Sequence, residues 1–256
     1  MNFDTLTEAY LYVLNDVYKN GELIEELNKT NDINNFNDNY YYNKQATKEI
    51  INYSFTINNL NLNENITTNS SKYNEIIKNY HERETELFDN GDIFNMHKLS
   101  NIWKIIENPD GSINANYGYM VYHLKDAGNE KFSKDDLTNQ WDWAKSRLIL
   151  DKNTLQAYLH FNRPKDQWKG NLDQPCTMFI QFVIRKDKLN LYGYMRSNDI
   201  IYGMPYNILY FIKLMYRMLD ELKINYPNLT IGSYTHNTTS VHYYLRNENR
   251  LIEMIN

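Results

Sequence analysis

The chain has 256 residues, 42% of them hydrophobic and 23% charged, an ordinary globular balance with enough length to bury a sizeable core. Its formal net charge of -5 speaks against a general nucleic-acid binder, which needs a basic face to displace counterions, but leaves room for a small anion held by a few local cations. One cysteine cannot close an intrachain disulfide, and one cysteine with six histidines and no CxxC or HExxH spacing argues against a metal centre.

The N-terminus, MNFDTLTEAY, carries neither the basic flank nor the apolar run of a secretory signal. Nowhere does an apolar stretch approach the roughly 18 residues of a membrane span. A cytoplasmic protein is expected, in the host cytoplasm if the source is viral, with no membrane partner. Residues 4–27 are predicted as a helix, with Leu6, Tyr10, Val13, Leu14, Val17 and Tyr18 at helical spacing. Residues 28–46 are Asn-rich with a Tyr run and are predicted as a loop. The region to about residue 48 is thus a variable preface to a single domain spanning 1–256. Ile50–Ile57 alternates as a strand should, Asn58–Ser71 is a polar connection, and Tyr73–Phe88 is a helix. Another helix is predicted over Phe132–Ile149, with Ser133 as N-cap ahead of Asp135 and Asp136.

In the C-terminal half, Thr177–Arg185 and Leu189–Arg196 are predicted strands of one hairpin, joined by Lys-Asp-Lys. Pro205 opens a long helix to about Ile224, with Ile208, Leu209, Phe211, Ile212, Met215, Leu219 and Leu222 on its apolar face. A strand near Leu229–His236 and a short terminal helix follow. Strands and helices without strict alternation imply an α+β fold.

Cys176 lies in QPCT just ahead of a strand. A lone cysteine usually serves as a small buried hydrophobe. It becomes a nucleophile when a nearby cation favours its thiolate, and Arg196, at the end of the paired strand, is the candidate cation.

QPCT, the hairpin, MRSND and then GMPYN resemble thymidylate synthases and their phage hydroxymethylase relatives. The resemblance implies Cys176 as nucleophile, Arg196 and Ser197 as substrate contacts, Asp199 in catalysis and folate binding, Gly203 on the cofactor side and Asn207 as the base reader. GSYTHNTTSVHYY resembles the family's His-x-Tyr segment and adds His242 and Tyr244 as sugar contacts. IWKIIENPDGSINANYG adds Trp103, on the cofactor side, and Tyr117, near C5 of the base. RETELF gives Glu84 as the catalytic carboxylate, with Glu82 and Glu86 as competitors. These motifs run in consistent order over residues 50–247. They imply a mixed β-sheet with packed helices that dimerises through the sheet. The implied reaction is one-carbon transfer from 5,10-methylenetetrahydrofolate to C5 of a deoxyuridine nucleotide. The family's cytidylate enzymes carry Asp where this chain has Asn207, so the resemblance favours uracil.

The chain also departs from the family. An arginine pair that family members lend to the partner's phosphate site is replaced by Thr154 and Leu155, leaving Lys72 and Lys152 as partial substitutes. Thr177 stands where thymidylate synthases have His, as it does in the phage hydroxymethylases. The chain ends at Asn256, soon after His-x-Tyr, without the family's closing tail, which favours water over hydride as the final nucleophile. The competing reading of these departures is a degenerate relative that binds or regulates without catalysis.

Overall fold

The computed structural model describes residues 1–24, 46–125 and 138–256. The chain begins with β1 (Asn2–Phe3) and α1 (Leu6–Asn20). Thr5 caps α1 by accepting from Glu8 N–H, and Leu6, Tyr10, Val13, Leu14 and Val17 are all buried. The helix stops at Gly21, short of the expected residue 27. There the chain bends into β2 (Glu22–Ile24) against β3 (Thr47–Ile57). A Cβ on Gly21 would lie 2.5 Å from the Val17 carbonyl oxygen, so the bend requires glycine. The predicted Asn-rich loop at 28–46 lies outside the described residues, apart from Ala46.

Then come α2 (Ser71–Asp89), α3 (Asn101–Ile106), α4 (Gln140–Leu150), β4 (Tyr158–His160), β5 (Thr177–Arg185), β6 (Lys188–Met195), β7 (Asn198–Asp199), α5 (Met204–Leu222), β8 (Thr230–Tyr244) and α6 (Glu248–Ile255). The predicted helix at Phe132 corresponds to α4, which starts only at Gln140. Asn139 caps it by accepting from Asp142 N–H, while Ser133, Asp135 and Asp136 lie outside the described residues.

Among the described residues one mixed sheet runs β1-β3-β8-β6-β5-β4, with β2 beside β3 and β7 beside β8. β5 and β6 form the predicted hairpin. Its two turn residues, Lys186 and Asp187, have φ of 50° and 56°, the primed geometry that matches strand twist. β8 is antiparallel to β3 and parallel to β6 and β7. This 15-residue strand is about twice the length the sequence predicts. Its second half is largely polar, yet Thr238, Val241 and Tyr243 are buried.

The core lies on one face of the sheet. Ile180, Phe182, Ile184, Leu189 and Leu191 point into it, and the predicted apolar stripe of α5 is buried against them. Phe179 pairs with Tyr194 and Gln181 with Tyr192 on the opposite face. Phe182 therefore does not share a face with Phe179, Tyr192 and Tyr194; it meets Trp141 edge-on inside the core. Because β5 and β6 are antiparallel, the start of one and the end of the other meet at a single sheet end, which places Cys176 beside Arg196.

Candidate active site

Pro175 is buried and Cys176 partly exposed, immediately before β5. Arg196 N–H donates to the Cys176 carbonyl at 2.9 Å. Its guanidinium donates to the carbonyls of Pro175 (3.1 Å) and Gln174 (2.8 Å) and to Ser197 Oγ (3.2 Å). Arg196 thus straps the segment that carries the sulfur. The hydroxyl that reaches Cys176 Sγ, at 3.7 Å, is that of Ser197. The next residue, Thr177, is fully buried and donates from its hydroxyl to Tyr117 Oη at 2.9 Å.

Tyr117 is brought there by its neighbours in NYG. Asn116 is buried; its amide donates to the Asp92 carbonyl (3.1 Å) and its Oδ1 accepts from Tyr119 N–H (2.8 Å). A Cβ on Gly118 would lie 1.8 Å from the Phe88 carbonyl oxygen of α2, so only glycine lets this turn touch that helix. Asp173, also buried, accepts from the N–H groups of Asn114 (2.5 Å) and Ala115 (2.9 Å), tying the Tyr117 loop to the Cys176 loop. Burial pushes the Tyr117 phenol well above its usual range, with Cys176 beside it adding to the rise.

α2 separates the three glutamates by burial. Glu84 is buried, whereas Glu82 and Glu86 are exposed. Burial pushes the Glu84 carboxyl up to about 8, with the Tyr80 hydroxyl beside it pulling back, so it is mostly neutral at pH 7. Trp103 Nε1 donates to Tyr80 Oη at 3.0 Å, which links Trp103 through Tyr80 to Glu84. The Tyr80 ring packs on Tyr206 of α5, with centroids 4.4 Å apart.

The Arg-Ser-x-Asp turn supplies the third side. Asp199 Oδ1 accepts from Ile201 N–H (2.8 Å) and Tyr202 N–H (3.1 Å). Burial raises its pKa, with His242 opposing, and the two are register partners between β7 and β8. His242 and Tyr244 alternate onto one face of β8 with rings edge-to-face at 5.6 Å. Gly203 precedes α5, and Asn207 lies one turn inside it, accepting at Oδ1 from Asn198 Nδ2 at 3.0 Å.

Contacts tie Cys176 to Arg196, Ser197 and, through Thr177, Tyr117; Glu84 joins Tyr80 and Trp103; and Asp199 pairs with His242 while Asn207 meets Asn198 beside Gly203. The expected lysine substitutes are not part of these contacts within this chain. Lys152 pairs with Asp187 at the hairpin turn, the far end of β5 from Cys176, and exposed Lys72 pairs with Glu253 at 3.7 Å. Thr154 is buried and Leu155 exposed. Tyr80, Asn116, Asp173 and Asn198 are missed by the sequence reading, although Asn116 within NYG and Asn198 within MRSND lie inside quoted motifs. Among the described residues, no group of three or more His, Cys, Asp or Glu could hold a metal ion, and no helix is long and apolar enough to cross a membrane.

The family model described as thymidylate synthase matches residues 8–256. The chain belongs to the thymidylate synthase family. Its relatives include the deoxycytidylate 5-hydroxymethyltransferase of Enterobacteria phage T6, 25% identical over 65% of this chain and 67% of that protein. The thymidylate synthase of Bacillus mojavensis is 25% identical over 64% of this chain and 55% of that protein. A solved structure, thermostable thymidylate synthase A from Bacillus subtilis, matches 98% of this chain and 84% of its own with a TM-score of 0.67 at 19% identity, which bears out the expected α+β fold. At family level, membership supports a transferase of nucleotide biosynthesis that moves a folate-borne one-carbon unit to C5 of a pyrimidine nucleotide.

Proposed function

We propose that the protein is a 5,10-methylenetetrahydrofolate-dependent transferase acting on dUMP through a covalent bond between Cys176 and C6 of uracil. The observation that carries this reading is the meeting of the partly exposed Cys176 thiol and the buried Tyr117 phenol at one sheet end, bridged by Thr177. Addition of the Cys176 thiolate to C6 pushes the ring electrons toward O4 and makes C5 nucleophilic. Neutral Glu84 donates a proton or hydrogen bond as charge builds at O4. Tyr117 directs removal of the C5 proton. Ser197 and Arg196 hold the thiol segment and face the phosphate. Asn207 pairs with N3–H and O4, since an amide offers one donor and one acceptor group. His242 and Tyr244 take the sugar hydroxyl. The folate supplies the one-carbon electrophile when bound; Trp103, Asp199 and Gly203 would hold it.

The product is 5-hydroxymethyl-dUMP or thymidylate. Thr177, the residue type that the phage hydroxymethylases carry there, supports the hydroxymethyl product. Folate oxidation separates the two, because methyl transfer consumes a hydride from the folate and hydroxymethyl transfer does not. We place the chain as a single domain acting as a homodimer in the cytoplasm.

A dUMP analogue with fluorine at C5 tests the central step, because fluorine cannot leave as the proton does. Incubation with the analogue and folate should leave an adduct on the Cys176 peptide in a mass spectrum. An unmodified Cys176 would contradict the reading. Thr154 and Leu155 in place of an arginine pair favour a second reading, a binding or regulatory protein of this fold. That reading requires no adduct and no turnover.

A further inference from the structure

We propose that Asn198 fixes which way the Asn207 amide faces and thereby sets the preference of the site for uracil over cytosine. This inference rests on the reading of Asn207 as the base contact. An asparagine at that position does not by itself discriminate. Uracil presents an acceptor at O4 and a donor at N3; cytosine presents a donor at N4 and an acceptor at N3. Rotating the side-chain amide by half a turn exchanges its carbonyl and amino groups, so one asparagine pairs with either edge. Discrimination needs a group that blocks the rotation.

Asn198 is placed to do this. It is buried, 1% exposed, and held by the parallel pairing of β7 with β8, where it is the register partner of Val241. Its Nδ2 donates to Asn207 Oδ1 at 3.0 Å. That contact leaves Asn207 Nδ2 to meet O4, and the second lone pair of Oδ1 to accept from N3–H. Turning Asn207 alone would set two amino groups against each other. Turning both amides together restores one hydrogen bond but exchanges the other end of Asn198. Asn198 Oδ1 is buried with no partner. After a concerted turn, an amino group with two N–H donors would occupy that unpartnered position. Orphaned donors are the rarer and costlier case, whereas a carbonyl oxygen is tolerated better. The orientation suited to uracil is therefore preferred.

Gly203 belongs to the same device. A Cβ there would lie 3.1 Å from Asn198 Nδ2 and 3.5 Å from Asn207 Oδ1, crowding the pair. Asn198 is a positioning residue, since it acts on the substrate only through Asn207.

The test measures dissociation constants for dUMP and dCMP by calorimetry with the wild type, Asn198→Ala and Asn198→Asp. The ratio of the two constants does not depend on the fraction of folded protein. The wild type should favour dUMP. Asn198→Ala should reduce that preference about tenfold, the scale of one specific hydrogen bond in base choice. Asn198→Asp offers only acceptors, draws Asn207 Nδ2 toward itself and should move the preference toward dCMP. If the aspartate variant does not fold, Asn198→Ala and Asn198→Ser decide the question. An unchanged ratio in these variants, or a wild type that prefers dCMP, would overturn the inference and leave the proposed chemistry standing. A wild type that binds neither nucleotide would overturn the proposed function, and this inference with it.

Discussion

Thr177, the residue after Cys176, donates its hydroxyl to Tyr117 Oη at 2.9 Å, with its own N–H 3.4 Å from the same oxygen. The Cys176 segment thus orients the phenol, and burial raises the phenol's pKa well above its usual range. Replacing Thr177 with Val keeps the shape and removes the donor. One hydrogen bond is worth roughly 1 kcal/mol, or about fivefold in rate. The expected result is that kcat for dUMP falls by about that factor while KM holds, and that Thr177→Ser restores it. A Thr177→Val variant with wild-type kcat would show that the phenol needs no such support.

Glu84 predicts a pH dependence of stability. Its carboxyl sits at about 8 in the fold because of burial, against 4.5 for the ordinary group. Below about pH 4.5 both folded and unfolded chains hold the proton and there is no penalty. Between about 4.5 and 8 the unfolded chain ionises first, so rising pH favours unfolding, and the full penalty is present above about 8. Glu84→Gln removes this dependence. Thermal melts should show the variant gaining stability over the wild type as pH rises from 5 to 9, and losing turnover at every pH. A difference in melting temperature that is flat with pH would refute the assignment of Glu84 as a buried neutral acid.

Asn207→Asp tests base reading at the contact itself. The ratio of kcat/KM for dUMP over dCMP should fall, because a suitably protonated carboxyl matches the cytosine edge. No movement of that ratio would remove Asn207 from base recognition.

Assembly follows from the outer sheet face. Phe179 and Tyr194 stack there with centroids 4.4 Å apart, and Tyr158 and Tyr194 are 37% and 36% exposed. Such a face calls for a cover, and a two-fold partner provides one. Sedimentation should give twice the 30.7 kDa chain mass, and Tyr194→Asp should shift it to the monomer. Because Thr154 and Leu155 cannot reach a phosphate as an arginine pair would, the two sites should titrate with nucleotide independently. A wild-type monomer at micromolar concentration would contradict this arrangement.

Much of this was legible in the sequence, and the misses have physical reasons. The stripe of α5 and the β5–β6 hairpin are strong periodic signals, and both are observed. β8 was shortened because Thr238, Thr239 and Ser240 are polar, and its pairing on both sides supplies what hydrophobicity does not. α1 was overrun because Leu23 and Ile24 continue an apolar run, while the close approach at Gly21 turns the chain. Phe179 and Phe182 lie on opposite faces because three residues along a strand reverse the face. The motif alone does not separate Glu84 from Glu82 and Glu86 by burial; the side of α2 that faces the core does. Asn198 and Tyr80 were invisible because each acts through another side chain, and only coordinates reveal such contacts.

The most direct test of the account is release of tritium from [5-³H]dUMP in the presence of 5,10-methylenetetrahydrofolate. Bond formation at C5 expels that hydrogen whichever product follows, and it requires Cys176 at C6. The wild type should release tritium steadily and a folded Cys176→Ser variant none, since its hydroxyl is too weak an acid to add without a strong base. No release by the folded wild-type protein, or equal release by the serine variant, would contradict the account.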